Sequence, residues 1–231
     1  IYQNLVIQTN IIHSSYIAGV KKLIFLGSSC IYPKYSKQPI KEESLLSGNL
    51  EPTNDAYAIA KIAGLKMCEA YNKQYNLNYI CLMPTNLYGP NDNYNLKNSH
   101  FFPALLSKIY NAKKNKKKFL KIWGNGKAKR ELMFVDDLSS ACEFFLKKKT
   151  NHYLINIGSG YENTIKGYAK FIMKKLNVNL KIVYDKKKPN GTPRKKLDIN
   201  LAKKYGWISK ISFSQGFDFV FNDFKKNKNL K

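Results

Sequence analysis

The sequence predicts an α/β fold with a parallel sheet, followed by a smaller C-terminal α/β lobe. Three observations predict it: short, continuously apolar runs of the kind buried in parallel sheets, helix-spaced segments between them, and turn residues at the junctions. Leu5 to Gly19 carries apolar residues at helical spacing and stops at a glycine, a natural helix end. Lys22 to Gly27 is a buried-strand run, and a turn-rich stretch from Ser28 to Asn54 follows, with Pro33, Pro39, Gly48 and Pro52. Asp55 is placed to start a helix over 56–75, and Tyr79 to Met83 is strand-like up to Pro84. Further on, a helix is expected over 102–112, and two strands flanking Gly124-Asn125-Gly126 read as a hairpin. Asp136 and Asp137 open a helix to about Lys147; Tyr153 to Ile157 is a strand, Thr164 to Leu176 a helix and Lys181 to Tyr184 a strand. Helices near 200–205 and 214–224 close the chain. The boundary between the main sheet (1–88) and the lobe (89–231) is expected near residue 88, with later segments crossing back.

The 231 residues suit one domain with an appended lobe, and no apolar run approaches a membrane span. No signal-peptide layout is visible at the start, and Ile1 is not an initiator methionine. The formal charge of +25 suggests nucleic acid, but 38 of the 40 basic residues are lysine and only Arg130 and Arg194 are arginine. Direct base readout leans on the arginine fork, so the expectation is a lysine-decorated surface and no nucleic acid or membrane partner. Cys30, Cys68, Cys81 and Cys142 form no CxxC pair, and His13, His100 and His152 show no metal-binding spacing, so no metal is expected. Unpaired cysteines without a secretory signal point to a cytoplasmic protein.

The chemistry starts at Tyr57-Ala-Ile-Ala-Lys61. Four residues apart on a helix, both side chains leave one face. A tyrosine is a poor acid-base group at neutral pH, and a neighbouring ammonium is expected to favour its phenolate. Any amphipathic helix can show this spacing. Here, however, a buried strand upstream ends in Gly27-Ser28-Ser29-Cys30, and strand ends in open α/β sheets are where ligands sit. A serine there can hydrogen-bond a carbonyl being reduced.

The ordered set Ser28, Tyr57 and Lys61 resembles the triad of short-chain dehydrogenase/reductases. Gly27-Ser-Ser-Cys-Ile-Tyr-Pro33, Glu51-Pro-Thr-Asn-Asp-Ala-Tyr-Ala-Ile-Ala-Lys61 and Pro84-Thr-Asn-Leu-Tyr-Gly-Pro90 resemble the extended branch, which acts on nucleotide sugars. Asn98-Ser-His100, Trp123-Gly-Asn-Gly with Arg130-Glu131, Val135-Asp-Asp137 and Lys188-Pro-Asn-Gly-Thr-Pro-Arg194 narrow it to the GDP-L-fucose synthase family. The resemblance covers essentially the whole chain. It implies a Rossmann-type sheet, a homodimer paired through the first two helices, and NADP(H) as cofactor. The implied reaction is 3,5-epimerisation of GDP-4-keto-6-deoxy-D-mannose followed by reduction of its C4 ketone.

The resemblance makes catalytic residues of Ser28, Cys30, Tyr57, Lys61 and His100. A lone cysteine is by default a small hydrophobe, but a thiolate can remove protons acidified by the C4 carbonyl. His100, by default a surface or core histidine, can return a proton on the opposite face. Leu26, Gly27, Ser28, Ser29, Lys61, Pro84, Thr85, Asn86, Leu87 and His100 are implied to line the cofactor. Lys108, Trp123, Arg130, Asn190 and Lys195 are implied to line the GDP-sugar. Asn190 departs from the aspartate common in the family motif.

The chain has neither a GxxGxxG nor a GxGxxG loop to cradle a pyrophosphate. The resemblance begins partway in, as though a first βαβ portion of roughly 80 residues were missing. The chain alone is therefore expected to bind NADPH poorly and, if that portion is indeed missing, to be inactive. The alternatives are another extended nucleotide-sugar epimerase, dehydratase or reductase, and a non-catalytic lysine-rich binding fragment.

Overall fold

A computed structural model describes residues 1–96, 98–187 and 191–229. The elements run α1 (Tyr2–Ile17), β1 (Lys22–Leu26), α2 (Asp55–Tyr75), β2 (Asn78–Pro84), β3 (Asn86–Tyr88), α3 (Phe101–Lys114), β4 (Phe119–Trp123) and β5 (Lys129–Phe134). Then come α4 (Val135–Lys147), β6 (Leu154–Ile157), β7 (Glu162–Thr164), α5 (Ile165–Lys175), β8 (Lys181–Asp185), β9 (Arg194–Lys195), α6 (Asn200–Tyr205) and α7 (Phe213–Asn229).

The first sheet is parallel, in the order β1-β2-β6, with Phe25 opposite Cys81 and Cys81 opposite Leu154. Alternation along β2 sorts its side chains to two faces. Tyr79, Cys81 and Met83 pack with Ile12 of α1 and with Leu65 and Cys68 of α2. Ile80 and Leu82 pack with Leu138, Ala141 and Phe145 of α4 and with Ala202 of α6. Helices thus cover both faces, which is why β2 reads as one apolar run instead of an alternating one. Helix α2 ends where Asn76 takes a left-handed conformation (φ 51°, ψ 48°), releasing the chain directly into β2. Gly64 lets α1 and β1 approach α2 closely, since a Cβ there would lie 2.6 Å from the Phe25 ring and 2.8 Å from Gln8.

The second sheet has the order β3-β5-β7, with β9 also on β5. A separate parallel pair joins β4 to β8. Helices α3, α5 and α7 close this lobe over an aromatic core that includes Tyr88, Phe102, Tyr168, Phe213, Phe217 and Phe224.

The expected hairpin around Gly124-Asn125-Gly126 does not form. Gly124 and Gly126 have φ of 64° and 68° and do turn the chain. The Gly124 amide, however, extends the β8 ladder by donating to the Asp185 carbonyl (3.0 Å), while β5 leaves to pair with β3, β7 and β9. Three short strands, β3, β7 and β9, lie where no strand was expected.

Candidate active site

The site is built where β1 ends. Beyond Leu26 the chain is extended at Ser28 (φ −156°, ψ 144°) and then tightens into a 3₁₀ turn over Ser29–Ile31. Ser28 Oγ accepts from the Cys30 amide at 3.2 Å, so this serine caps the turn that carries the thiol. At the start of α2 the cap position is Asn54, yet its side chain makes no capping bond. Instead Asn54 Nδ2 donates to Cys30 Sγ at 3.3 Å, and its Oδ1 is buried without a partner. The Lys195 ammonium reaches the same sulfur from β9, at 3.1 Å. Burial by itself would push the Cys30 thiol up. The Lys195 charge, with hydrogen bonds from Ser28, Lys195 and Asn54, outweighs it and leaves the thiol below its ordinary value.

Tyr57 and Lys61 leave α2 on one face, with the Lys61 ammonium 6.0 Å from the Tyr57 ring. The amine is held by the Leu26 carbonyl at 3.0 Å and not by the phenol oxygen. Burial lowers the Lys61 pKa. Tyr57 goes the opposite way from the sequence expectation. Burial pushes its phenol up, the nearby Cys30 thiol adds to this, and a hydrogen bond with Ser28 only partly offsets them. Tyr57 is therefore held as a proton donor, and its phenolate is not favoured. Ser28, Cys30, Tyr57, Lys61 and Lys195 form one connected cluster.

The next ring is cationic and better braced. Arg130 stands opposite Lys195 in the β5–β9 register, and its Nη1 donates to the Lys129 and Thr192 carbonyls (2.8 and 2.6 Å). Burial lowers its pKa, while the charges of Glu51 and Cys30 act to raise it. Glu51 also pairs with Lys34 at 3.2 Å and accepts from Thr192 Oγ1 at 3.3 Å. Lys108 of α3 lies over the Trp123 ring at 5.5 Å, and that tryptophan is half exposed.

His100 sits at the N-terminus of α3, exposed, and makes no hydrogen bond to Cys30 or Tyr57. Asn190 lies outside the described residues. Thr85 Oγ1 and Asn86 Nδ2 both donate to the Glu131 carbonyl (3.3 and 3.1 Å), tying the end of β2 to β5. Pro84 completes the β2 ladder opposite Ile157, and Leu87 is half buried in β3. Gly27 continues the β1 ladder to Leu82, and Ser29 is buried. The exposed Leu26, the half-exposed Tyr57 and the Lys61 amine leave the open end of two parallel strands lined by one apolar and two donor groups. That set suits a planar cofactor head group beside a carbonyl.

Glu131, read from sequence only as part of a motif, is an organising residue. Its fully buried carboxylate accepts from the Gly160 amide (2.7 Å) and the Leu197 amide (2.9 Å). It thereby fixes the segment leading from β9. Asn54 was also missed; the signal available was an asparagine at a helix cap position.

The family profile described as NAD dependent epimerase/dehydratase family matches residues 1–158. The Putative GDP-L-fucose synthase 2 of Arabidopsis thaliana is 49% identical over 224 residues, spanning 97% of this chain and 68% of its own length. The GDP-L-fucose synthase of Escherichia coli K12 is 44% identical, spanning 99% of this chain and 74% of its own. The solved structure of a GDP-L-fucose synthetase from Naegleria fowleri bound to NADP is 27% identical with a TM-score of 0.88, and the match covers 98% of this chain and 73% of that one. By its fold, the order of its site residues and these relatives, the chain belongs to the NAD dependent epimerase/dehydratase family, on the branch of the GDP-L-fucose synthases.

Proposed function

We propose that this chain carries the chemistry that turns GDP-4-keto-6-deoxy-D-mannose into GDP-L-fucose: inversion at C3 and C5, then reduction of the C4 ketone. The observation that carries the reading is the meeting of a pKa-lowered thiol, Cys30, with a proton-donating pair, Ser28 and Tyr57, at the end of one strand. The C4 ketone acidifies the protons on C3 and C5. Cys30 takes such a proton: the C–H bond breaks, an S–H bond forms, and the electron pair moves onto the C4 oxygen. Ser28 and Tyr57 donate to that oxygen as its charge develops. His100 returns a proton on the opposite face. Its exposed place at the start of α3 leaves it free to meet a bound sugar.

In the reduction step Tyr57 gives its proton to the same oxygen, which explains why a raised phenol pKa suits it. Leu26 to Ser29, Lys61, Pro84 to Leu87 and His100 would hold NADP(H), which supplies the hydride when bound. Lys61 positions through its bond to the Leu26 carbonyl. Lys108 and Arg130 suit the substrate pyrophosphate, and Trp123 an apolar face of the ligand.

The sheet side (1–88) is read as the cofactor and catalytic half and 89–231 as mainly the substrate lobe, with β6 returning to β2. Two copies are read as pairing through α1 and α2, whose exposed Tyr2, Ile7, Ile11, Ile17 and Ile59 are suited to burial; a monomer mass, if light scattering gave one, would contradict this. Four free cysteines suit the reducing cytoplasm, and among the described residues no helix is long and apolar enough to cross a membrane.

The test of the reduction step is Tyr57→Phe, assayed in a fusion that supplies a relative's glycine-rich loop ahead of Ile1. NADPH oxidation should fall by about 10²–10⁴-fold while GDP-sugar binding stays near normal. Near-normal turnover would remove Tyr57 from the reaction.

A further inference from the structure

Resting on the reading just given, we infer that Lys195 is the positioning residue for Cys30: its ammonium pairs with the sulfur and holds it as a thiolate before substrate arrives. Sequence resemblance had put this lysine on the GDP-sugar. The geometry points elsewhere. Lys195 Nζ lies 3.1 Å from Cys30 Sγ, and Asn54 Nδ2 approaches the same atom at 3.3 Å. Two N–H donors converging on one sulfur suit an acceptor, and a thiolate accepts far better than a thiol.

The other groups around the sulfur leave this pairing intact. Ser28 Oγ takes the Cys30 amide, and Tyr57 presents a neutral phenol. Arg130, opposite Lys195 in the strand register, adds a second positive charge. Glu51, the nearby anion, is neutralised by Lys34 and bonded by Thr192. The lysine is itself held in place, because β9 is pinned to β5 and the Leu197 amide, two residues on, is fixed by the buried Glu131. The consequence is chemical. The thiol proton has already left to solvent, so Cys30 can accept the substrate proton directly and needs no separate base to deprotonate it first.

The test needs no cofactor. This chain is treated with iodoacetamide across a pH series, and alkylation of each cysteine is followed by peptide mass spectrometry. Cys142, half buried on α4, serves as an internal reference whose thiol burial raises. In the wild type the Cys30 midpoint should lie below the ordinary thiol value of about 8.5. Lys195→Met should raise that midpoint by about one unit or more, cutting labelling near neutral pH roughly tenfold, and leave Cys142 unmoved. Lys195→Arg should keep the low midpoint. Lys195→Gln gives the same comparison should the methionine variant fail to fold. A Cys30 midpoint at or above that of Cys142 in the wild type, or one that Lys195→Met and Lys195→Gln leave unchanged, overturns the inference. Deuterium exchange into the keto-sugar is measured alongside. If the midpoint shifts but Cys30→Ser still exchanges substrate protons normally, the ion pair stands and the catalytic reading fails.

Discussion

Cys30 and Cys81 lie on or just past neighbouring strands of one sheet, and their surroundings make them different reagents. Cys81 is fully buried in β2 against Cys68 of α2. Burial drives its thiol well above the ordinary value, and Cys68 and Glu69 push it further in the same direction. Cys30 is also desolvated, so burial alone does not separate them. The difference is the three polar groups gathered at Cys30: Ser28, two residues before it at the strand end, and two from distant parts of the chain, Asn54 at a helix start and Lys195 on a two-residue strand. A reactive cysteine here is made by convergence, and an inert one by its absence.

Alkylation of both cysteines separates them. Iodoacetamide at neutral pH should modify Cys30 in the folded chain at least about 10³ times faster than Cys81, which becomes reachable only through opening of the sheet. Comparable rates would mean that the Cys30 corner is closed or that the Cys81 layer is loose. Next in size is Glu131→Ala, which leaves the Gly160 and Leu197 amides without their buried acceptor. A loss of about 3 kcal/mol is expected in urea unfolding, with a rise in the Cys30 alkylation midpoint because β9 and Lys195 are no longer braced. A stability change without any change at Cys30 would separate the brace from the site.

The smallest effect lies at Glu69 of α2. Glu69 bridges Lys66 and Lys73, each at 2.9 Å. The Lys66 hydrogen bond, with burial opposing and Lys73 adding, brings its carboxyl down to about 2. The folded pKa lies below the unfolded value of about 4.3. The stabilisation is therefore present above that value and lost as pH falls through about 2. Glu69→Gln should cost about 1 kcal/mol or less at neutral pH and flatten the acid limb of the unfolding curve between those values. An unchanged acid limb would show that the bridge contributes nothing.

Much of the fold was legible because its signals are local. The apolar runs of β1 and β2, the amphipathic α4 and α5, and the Thr164 cap, which accepts from the Gly167 amide at 2.8 Å, each sit within a few residues. The three missed strands carry no such signal. Glu162-Asn163-Thr164 and Arg194-Lys195 are polar and short, and Asn86-Leu87-Tyr88 follows directly on β2; all three exist because β5 offers them an edge. The expected hairpin failed for the same reason, since a tight turn fixes chain direction but not the partner of the strand that follows. At the site, Ser28, Tyr57 and Lys61 were readable from their order along the chain, and Cys30 only through the family resemblance. The grip of Lys195 on a sulfur 165 positions away was not, nor was the diversion of Asn54 from its cap. The pull expected of Lys61 on Tyr57 was misjudged because burial, invisible in sequence, dominates the phenol, and the Leu26 carbonyl takes the amine.

Cys30, as the base that removes the sugar's α-protons, should govern proton exchange in deuterated water. GDP-4-keto-6-deoxy-D-mannose incubated with the loop-bearing fusion, without NADPH, should gain deuterium at C3 and C5 faster than it does in buffer. Cys30→Ser replaces the thiol with a hydroxyl that ionises far less readily, and should slow that gain by about 10²-fold or more. Deuterium entering both carbons at the wild-type rate in the serine variant would contradict the account and leave Cys30 a structural residue.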